Sequence, residues 1–136
     1  MRRYPNSAPL LGNFALFLHK IRHDADQAEA MYQRAIQADP THAGNPGNYA
    51  DFLARTRKDP ERADAMYRRA LDADPRNVNN PRNYAYFLEH ARDDADAAET
   101  QYKRALEVDP HHEGLRRSYA KFLKRTGRDG KGATAA

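Results

Sequence analysis

Apolar residues recur along this chain at the spacing of helices. Tyr49, Ala50, Phe52 and Leu53 fall at i, i+1, i+3 and i+4, and Ala63, Met66, Tyr67, Ala70 and Leu71 at i, i+3, i+4, i+7 and i+8. Each set is a stripe on one side of a helix, and neither alternates as a half-buried strand would. Both stripes repeat. Asn13-Phe14-Ala15-Leu16-Phe17-Leu18 returns 35 residues later as Asn48-Tyr49-Ala50-Asp51-Phe52-Leu53, then as Asn83-Tyr84-Ala85-Tyr86-Phe87-Leu88 and Ser118-Tyr119-Ala120-Lys121-Phe122-Leu123. The second stripe (Ala63, Tyr67, Arg69, Ala70, Leu71) has counterparts in Ala28, Tyr32, Arg34, Ala35, Ile36 and in Ala98, Tyr102, Arg104, Ala105, Leu106. Residues 45–79 match 80–114 at 16 of 35 positions without a gap. The unit is therefore a pair of helices, iterated.

Proline and small polar residues mark the boundaries. Asn45-Pro46, Asn80-Pro81 and Asp59-Pro60 read as an N-cap followed by proline at the first helical position, with Asp24 and Asp94 at the repeat position of Asp59. Each second-type helix stops at Asp-Pro (39–40, 74–75, 109–110), because proline disfavours helical dihedrals in its predecessor and has no N–H to donate. These signals predict a lead-in over 1–7, repeats over about 8–40, 45–75 and 80–110, a capping helix over 113–125 and a disordered tail over 126–136. The capping helix carries Arg117, Lys121, Lys124 and Arg125 on its outer side. Tyr4-Pro5 aligns with Asp39-Pro40, so the chain opens where a second-type helix would end. The reading is about seven helices in an all-α, right-handed solenoid. A single pair cannot bury its own stripe and must share a core with its neighbours.

Composition fits a thin architecture with surface on every side. The chain has 136 residues, 31% of them charged, and a mean hydropathy of −1.03. It contains no cysteine, which excludes disulfides, thiolate catalysis and cysteine-ligated metals. No apolar run approaches the ~20 residues needed to cross a bilayer, and a soluble, cytoplasmic protein is the expectation. The net charge of +4 is distributed unevenly: residues 1–23 carry four Lys/Arg and no acid, 24–110 carry 12 against 17, and 111–136 carry seven against two. Basic ends of this kind steer polyanionic partners.

The pattern resembles the tetratricopeptide repeat, over about residues 8–125. The resemblance rests on Ala50 in the first helix, on Ala63, Tyr67 and Ala70 in the second, on Pro75 at the end of the unit, and on their counterparts in neighbouring repeats. The period is 35 rather than 34 residues, with the extra residue between the two helices, and the tryptophan often found early in the first helix is absent. Such arrays are mostly protein-interaction scaffolds whose first helices line a concave groove, so the resemblance implies a non-enzymatic role of that kind.

With Tyr49, Phe52 and Leu53 buried, the opposite side of the first helix carries 47, 48, 51, 54, 55 and 58. Across the repeats the groove rows are Gly12, Asn13, Leu16, His19 and Lys20; Gly47, Asn48, Asp51 and Arg55; Arg82, Asn83, Tyr86, Glu89 and His90; and Arg117, Ser118, Lys121, Lys124 and Arg125. Asn13, Asn48 and Asn83 each offer a donor and an acceptor, and can pair with successive peptide groups of an extended ligand. Arg55, Arg82, Arg117 and Lys121 supply positive charge for an acidic segment or a C-terminal carboxylate. Tyr86 is the groove-side aromatic, able to stack on a ligand ring.

Other chemistry is sparse. His19 and His23 are i, i+4 but have no third ligand near them in sequence, so no metal or cofactor is expected. No phosphate loop, nucleophile elbow or paired-carboxylate motif is present. The expected function is an interaction scaffold holding an extended or acidic peptide. Two alternatives are a self-assembling unit, joined through an open N-terminal end at Leu10, Leu11 and Phe14, and a nucleic-acid-binding repeat.

Overall fold

The computed structural model describes residues 7–42 and 44–130, so Tyr4-Pro5 and the end of the tail from Lys131 lie outside the described residues. Among the described residues there are seven α-helices and no strand: α1 (Ala8–Lys20), α2 (Ala25–Ala38), α3 (Gly44–Arg55), α4 (Pro60–Ala73), α5 (Asn79–His90), α6 (Ala95–Val108) and α7 (Glu113–Arg125). The architecture is all-α and built from helical repeats. The chain forms two compact units, Met1–Pro75 with α1 to α4 and Arg76–Ala136 with α5 to α7.

Each repeat closes through its alanines. Ala15, Ala28, Ala35, Ala50, Ala63 and Ala70 in the first unit, and Ala85, Ala98 and Ala105 in the second, are wholly buried, letting helix axes approach closely. Larger side chains fill what remains. In the first unit Tyr32, Phe52 and Leu53 are fully buried, in the second Phe122 and Leu115; each such side chain stabilises by roughly 1.5–3 kcal/mol through apolar area removed from water.

The turn inside each repeat is built the same way three times. His23, Lys58 and Asp93, one per repeat, have φ of 53–54°, the left-handed region that L-residues enter at a cost. The N–H that follows each reaches back six residues, Asp24 to Leu18 O, Asp59 to Leu53 O and Asp94 to Leu88 O, all at 2.9 Å. Asp24, Asp59 and Asp94 then cap the next helix, their carboxylates accepting from the N–H of Gln27, Arg62 and Ala97 at 3.0–3.2 Å. The left-handed residue thus turns the chain, and the aspartate after it caps the next helix.

Asn45 and Asn80 are not caps, contrary to the sequence reading. Both lie within the first turn of their helices and are buried, at 2% and 5% exposure. Asn77 does the capping for α5, its side-chain oxygen accepting from the N–H of Asn79 and Asn80 at 2.9 and 3.0 Å. Asn45 instead donates from Nδ2 to the carbonyl of Ala8 at 3.0 Å, tying α3 to the start of α1. Gly12 and Gly47 are likewise buried and do not line a groove. A Cβ on Gly12 would collide with Asn45 Oδ1 and sit 2.9 Å from its Cγ.

The tail reading also changes. Arg128 follows α7 and binds α6, with Nη2 to Asp96 at 2.7 Å and Nη1 to Glu99 at 2.8 Å, and Gly127 and Gly130 supply positive φ there.

Two stability changes of opposite sign follow. Gly12→Ala drives a methyl into an amide already held by Ala8, and urea unfolding should show a loss of about 1–3 kcal/mol. Lys58→Gly relieves the left-handed strain and should gain about 0.5–1 kcal/mol in the same measurement.

Candidate functional site

Inside each unit, the joint between a second-type helix and the next first-type helix fixes how the exposed face is presented. In the first unit the Tyr32 ring lies 5.5 Å from the rings of both Tyr49 and Phe52. The Tyr49 hydroxyl donates to Glu29 at 2.7 Å and accepts from Gln33 and Arg62 at 3.1 and 2.6 Å. Glu29 also accepts from Arg57 Nε at 2.8 Å and Arg62 Nη2 at 2.5 Å, while Arg57 Nη2 reaches Asp26 at 2.8 Å. The second unit repeats this with Tyr102 against Tyr119 and Phe122, at 5.4 and 5.1 Å, and with Tyr119 and Arg128 on Glu99. The joint was not legible as such. Glu99 stands 3.9 Å from Lys103, its i, i+4 neighbour, while its shorter bonds go to Tyr119 and Arg128.

These contacts move the proton equilibria. Burial pushes the Glu29 carboxyl up, but bonds from Tyr49, Arg62 and Arg57 outweigh it and hold it below its ordinary value of 4.5. At Glu99 the Tyr119 bond leads and the shift is again downward. Tyr49 and Tyr119 are pushed up to about 12, first by burial and then by donating to the carboxylates. Tyr32 is also raised to about 12 by burial, and its buried hydroxyl has no hydrogen-bond partner among the described residues.

The sequence-predicted residues fall on both units. In the first, Asn13 on α1 and Asn48 on α3 are exposed, and neither side chain is hydrogen-bonded among the described residues. Asn13 follows Gly12, and Asn48 is one turn beyond Asn45, so the Gly12–Asn45 contact and the Asn45–Ala8 bond bring their two turns together. Arg55 bonds Asp51 through Nε at 2.5 Å. His19 is half-buried: its Nε2 lies 2.8 Å from Thr56 Oγ1 and its ring meets Phe52 edge-on at 4.9 Å. Desolvation leads in lowering its pKa below 6.5. No cluster of three metal-ligating side chains occurs among the described residues.

In the second unit Asn83 is exposed on α5, also without a side-chain hydrogen bond among the described residues. Arg82 donates to Asn79 Oδ1 at 3.2 Å, and Tyr86, 49% exposed, lies against His90 at 4.2 Å between ring centroids. On α7, Arg117 is 3.6 Å from Glu113 in an exposed pair, and Lys121 is exposed. Arg125 differs from its sequence reading as a groove cation: it grips Glu89 with two bonds, at 3.0 and 2.7 Å.

Searches of known folds agree on the architecture. The chain superposes on the first TPR of Spaghetti (RPAP3), a structure bound to the HSP90 peptide SRMEEVD, with a TM-score of 0.72 and 19% identity over 89% of this chain and 94% of that one. The chain has the tetratricopeptide-repeat fold. MamA is similar too, with a TM-score of 0.73 and 13% identity over 96% of this chain and 74% of that one. No protein-family model and no curated protein matches the sequence. Within this tetratricopeptide-repeat fold, no helix among the described residues is long and apolar enough to cross a membrane.

The joints generate two predictions. Because the folded pKa of Glu29 and of Glu99 is depressed, their stabilisation is complete above about pH 4.5 and is lost as pH falls through the folded value. Glu29→Gln should lower stability at pH 7 by about 1–2 kcal/mol and flatten its acid dependence, read by urea unfolding between pH 3 and 7. Tyr32→Phe removes an unpartnered hydroxyl and should leave the melting temperature unchanged or higher, whereas Tyr49→Phe should lower it.

Proposed function

We propose that this protein is a non-enzymatic interaction module that binds an extended, acidic segment of another protein through the exposed side of its first-type helices. The observation that carries this reading is the pair Asn13 and Asn48: two exposed amides with no hydrogen bond among the described residues, on adjacent helices whose turns meet at Gly12 and Asn45. Amides in that state suit the alternating N–H and C=O groups of an extended chain, and do so whatever its side chains. Asn83 offers the same group in the second unit. The charge preference rests on Arg82, Arg117 and Lys121 within the second unit, where Tyr86 is a stacking surface. The tetratricopeptide-repeat structure of Spaghetti, bound to SRMEEVD, a peptide with three acids and one arginine, supports a ligand of this kind. Asp51 opposes it locally, and its pairing with Arg55 offsets that charge.

The test is isothermal titration of the full chain with a panel of acidic heptapeptides, SRMEEVD among them, each with a free and an amidated C-terminus. Asn13→Ala with Asn48→Ala should weaken the best ligand ~5- to 150-fold, two hydrogen bonds at about 0.5–1.5 kcal/mol each. Arg117→Ala with Lys121→Ala should weaken acidic ligands and reduce the salt dependence. Unchanged affinity in the asparagine double variant overturns the backbone-reading role. A panel that binds no better than neutral peptides overturns the acidic preference.

A further inference from the structure

A different side of α1 carries a stripe of exposed apolar side chains. Leu10, Phe14, Phe17 and Ile21, at i, i+4, i+7 and i+11, are 53%, 48%, 42% and 64% exposed. Leu11, which the sequence grouped with this open end, is instead buried at 6%. The Phe14 and Phe17 rings stack on each other, 6.4 Å between centroids and 13° between planes.

The molecule itself shows what covers such a pair. Thirty-five residues on, Tyr49 and Phe52 form the same stack at 6.2 Å and 28°, yet are 4% and 0% exposed because Tyr32 of α2 lies against both. Tyr119 and Phe122, stacked at 6.2 Å and 23°, receive Tyr102 of α6 in the same way. In both joints an arginine past the first-type helix grips two acids on the incoming helix. Arg57 holds Asp26 and Glu29, six and three residues before Tyr32, and Arg128 holds Asp96 and Glu99, six and three before Tyr102. The α1 counterpart of Arg57 is Arg22, which is exposed.

We propose that this face is a docking socket for an amphipathic helix of a protein partner with the pattern acid-x-x-acid-x-x-Tyr. The partner tyrosine packs against both Phe14 and Phe17, and its two acids meet Arg22. The absence of any acid in residues 1–23 favours an acidic helix electrostatically. Ile21, where later repeats have Thr56 and Ala91, extends the apolar strip beyond that of the internal joints. Phe14 lacks the hydroxyl that Tyr49 gives to Glu29, so the docked acids rely on Arg22 and the contact is weaker and more salt-sensitive than an internal joint.

The probe is a fluorescein-labelled, hydrocarbon-stapled peptide copying residues 24–40, which contains Asp26, Glu29 and Tyr32, titrated with the full chain and read by fluorescence anisotropy. Saturable binding is expected. Phe14→Asp with Phe17→Asp, both at exposed positions, should weaken it at least ~10-fold, the range of a buried aromatic anchor. Replacing the peptide tyrosine by alanine should do the same, and Arg22→Glu should weaken binding and flatten its salt dependence. Circular dichroism and urea unfolding confirm that the variants remain folded; should the double variant unfold, Arg22→Glu and the altered peptide carry the test. Asn13→Ala with Asn48→Ala should leave helix binding intact, which separates this socket from the peptide-binding reading. No saturable binding, or binding indifferent to Phe14→Asp with Phe17→Asp, overturns the proposal. So does concentration-dependent dimerisation of the unliganded chain that the same substitutions abolish, because the face would then belong to a second copy.

Discussion

One contact organises each unit: a tyrosine from a second-type helix packed against both the tyrosine and the phenylalanine of the first-type helix that follows. Tyr32 against Tyr49 and Phe52, and Tyr102 against Tyr119 and Phe122, are the means by which one helix pair acquires a neighbour. A 35-residue pair has too little interior to stand alone, and burying three aromatic rings at its edge supplies the missing apolar area. The polar rim works with the rings. Glu29 and Glu99 are partly buried carboxylates, and each is satisfied by a tyrosine hydroxyl and an arginine from the other side of the joint. An unpartnered carboxylate there would be costly, so rings and ion pair specify a single geometry.

The exposed residues follow from that geometry. Because Tyr49, Phe52 and Leu53 point inward, Asn48 and Asp51 must point outward, and the same holds for Asn13 on α1. The Gly12–Asn45 contact sets how near the two helices come, since a side chain at position 12 would push them apart. On α1 and α3 the amides left outward are those of Asn13 and Asn48. The uncovered aromatic pair on α1 is suited to a helix. The Asn13 amide and the Phe14–Phe17 pair thus stand exposed on two sides of one element.

The repeat, its boundaries and its core positions were legible in the sequence because they depend on local rules. Helical spacing placed Ala50, Phe52, Tyr67 and Ala70 on the buried side, and aspartate-proline signals located the ends of α2, α4 and α6. Asn13, Asn48 and Asn83 were legible as outward-facing for the same reason. Asn45 and Asn80 were misread because an asparagine before proline has the same local signature whether it caps a helix or is buried within its first turn, as Asn45 is against Ala8. Gly12 was placed in the groove because angular position on a helix does not show which helix stands beside it. Arg128 was assigned to a disordered tail because glycines flank it, and only the carboxylates on α6 give it a place.

Sequence by itself therefore determined the helix-pair unit, its 35-residue period, its aromatic and alanine core, and the charge gradient from basic ends to an acidic middle. Tertiary structure decided which polar residues are engaged and which are open. It tied Arg57 and Arg128 to carboxylates and gave Arg125 to Glu89, while leaving Asn13, Asn48 and the Phe14–Phe17 pair facing outward. The division has a physical cause. Helical periodicity and capping act within about four residues and are written locally, whereas a polar side chain's partner is fixed by whatever the packing of distant rings brings within 3 Å of it.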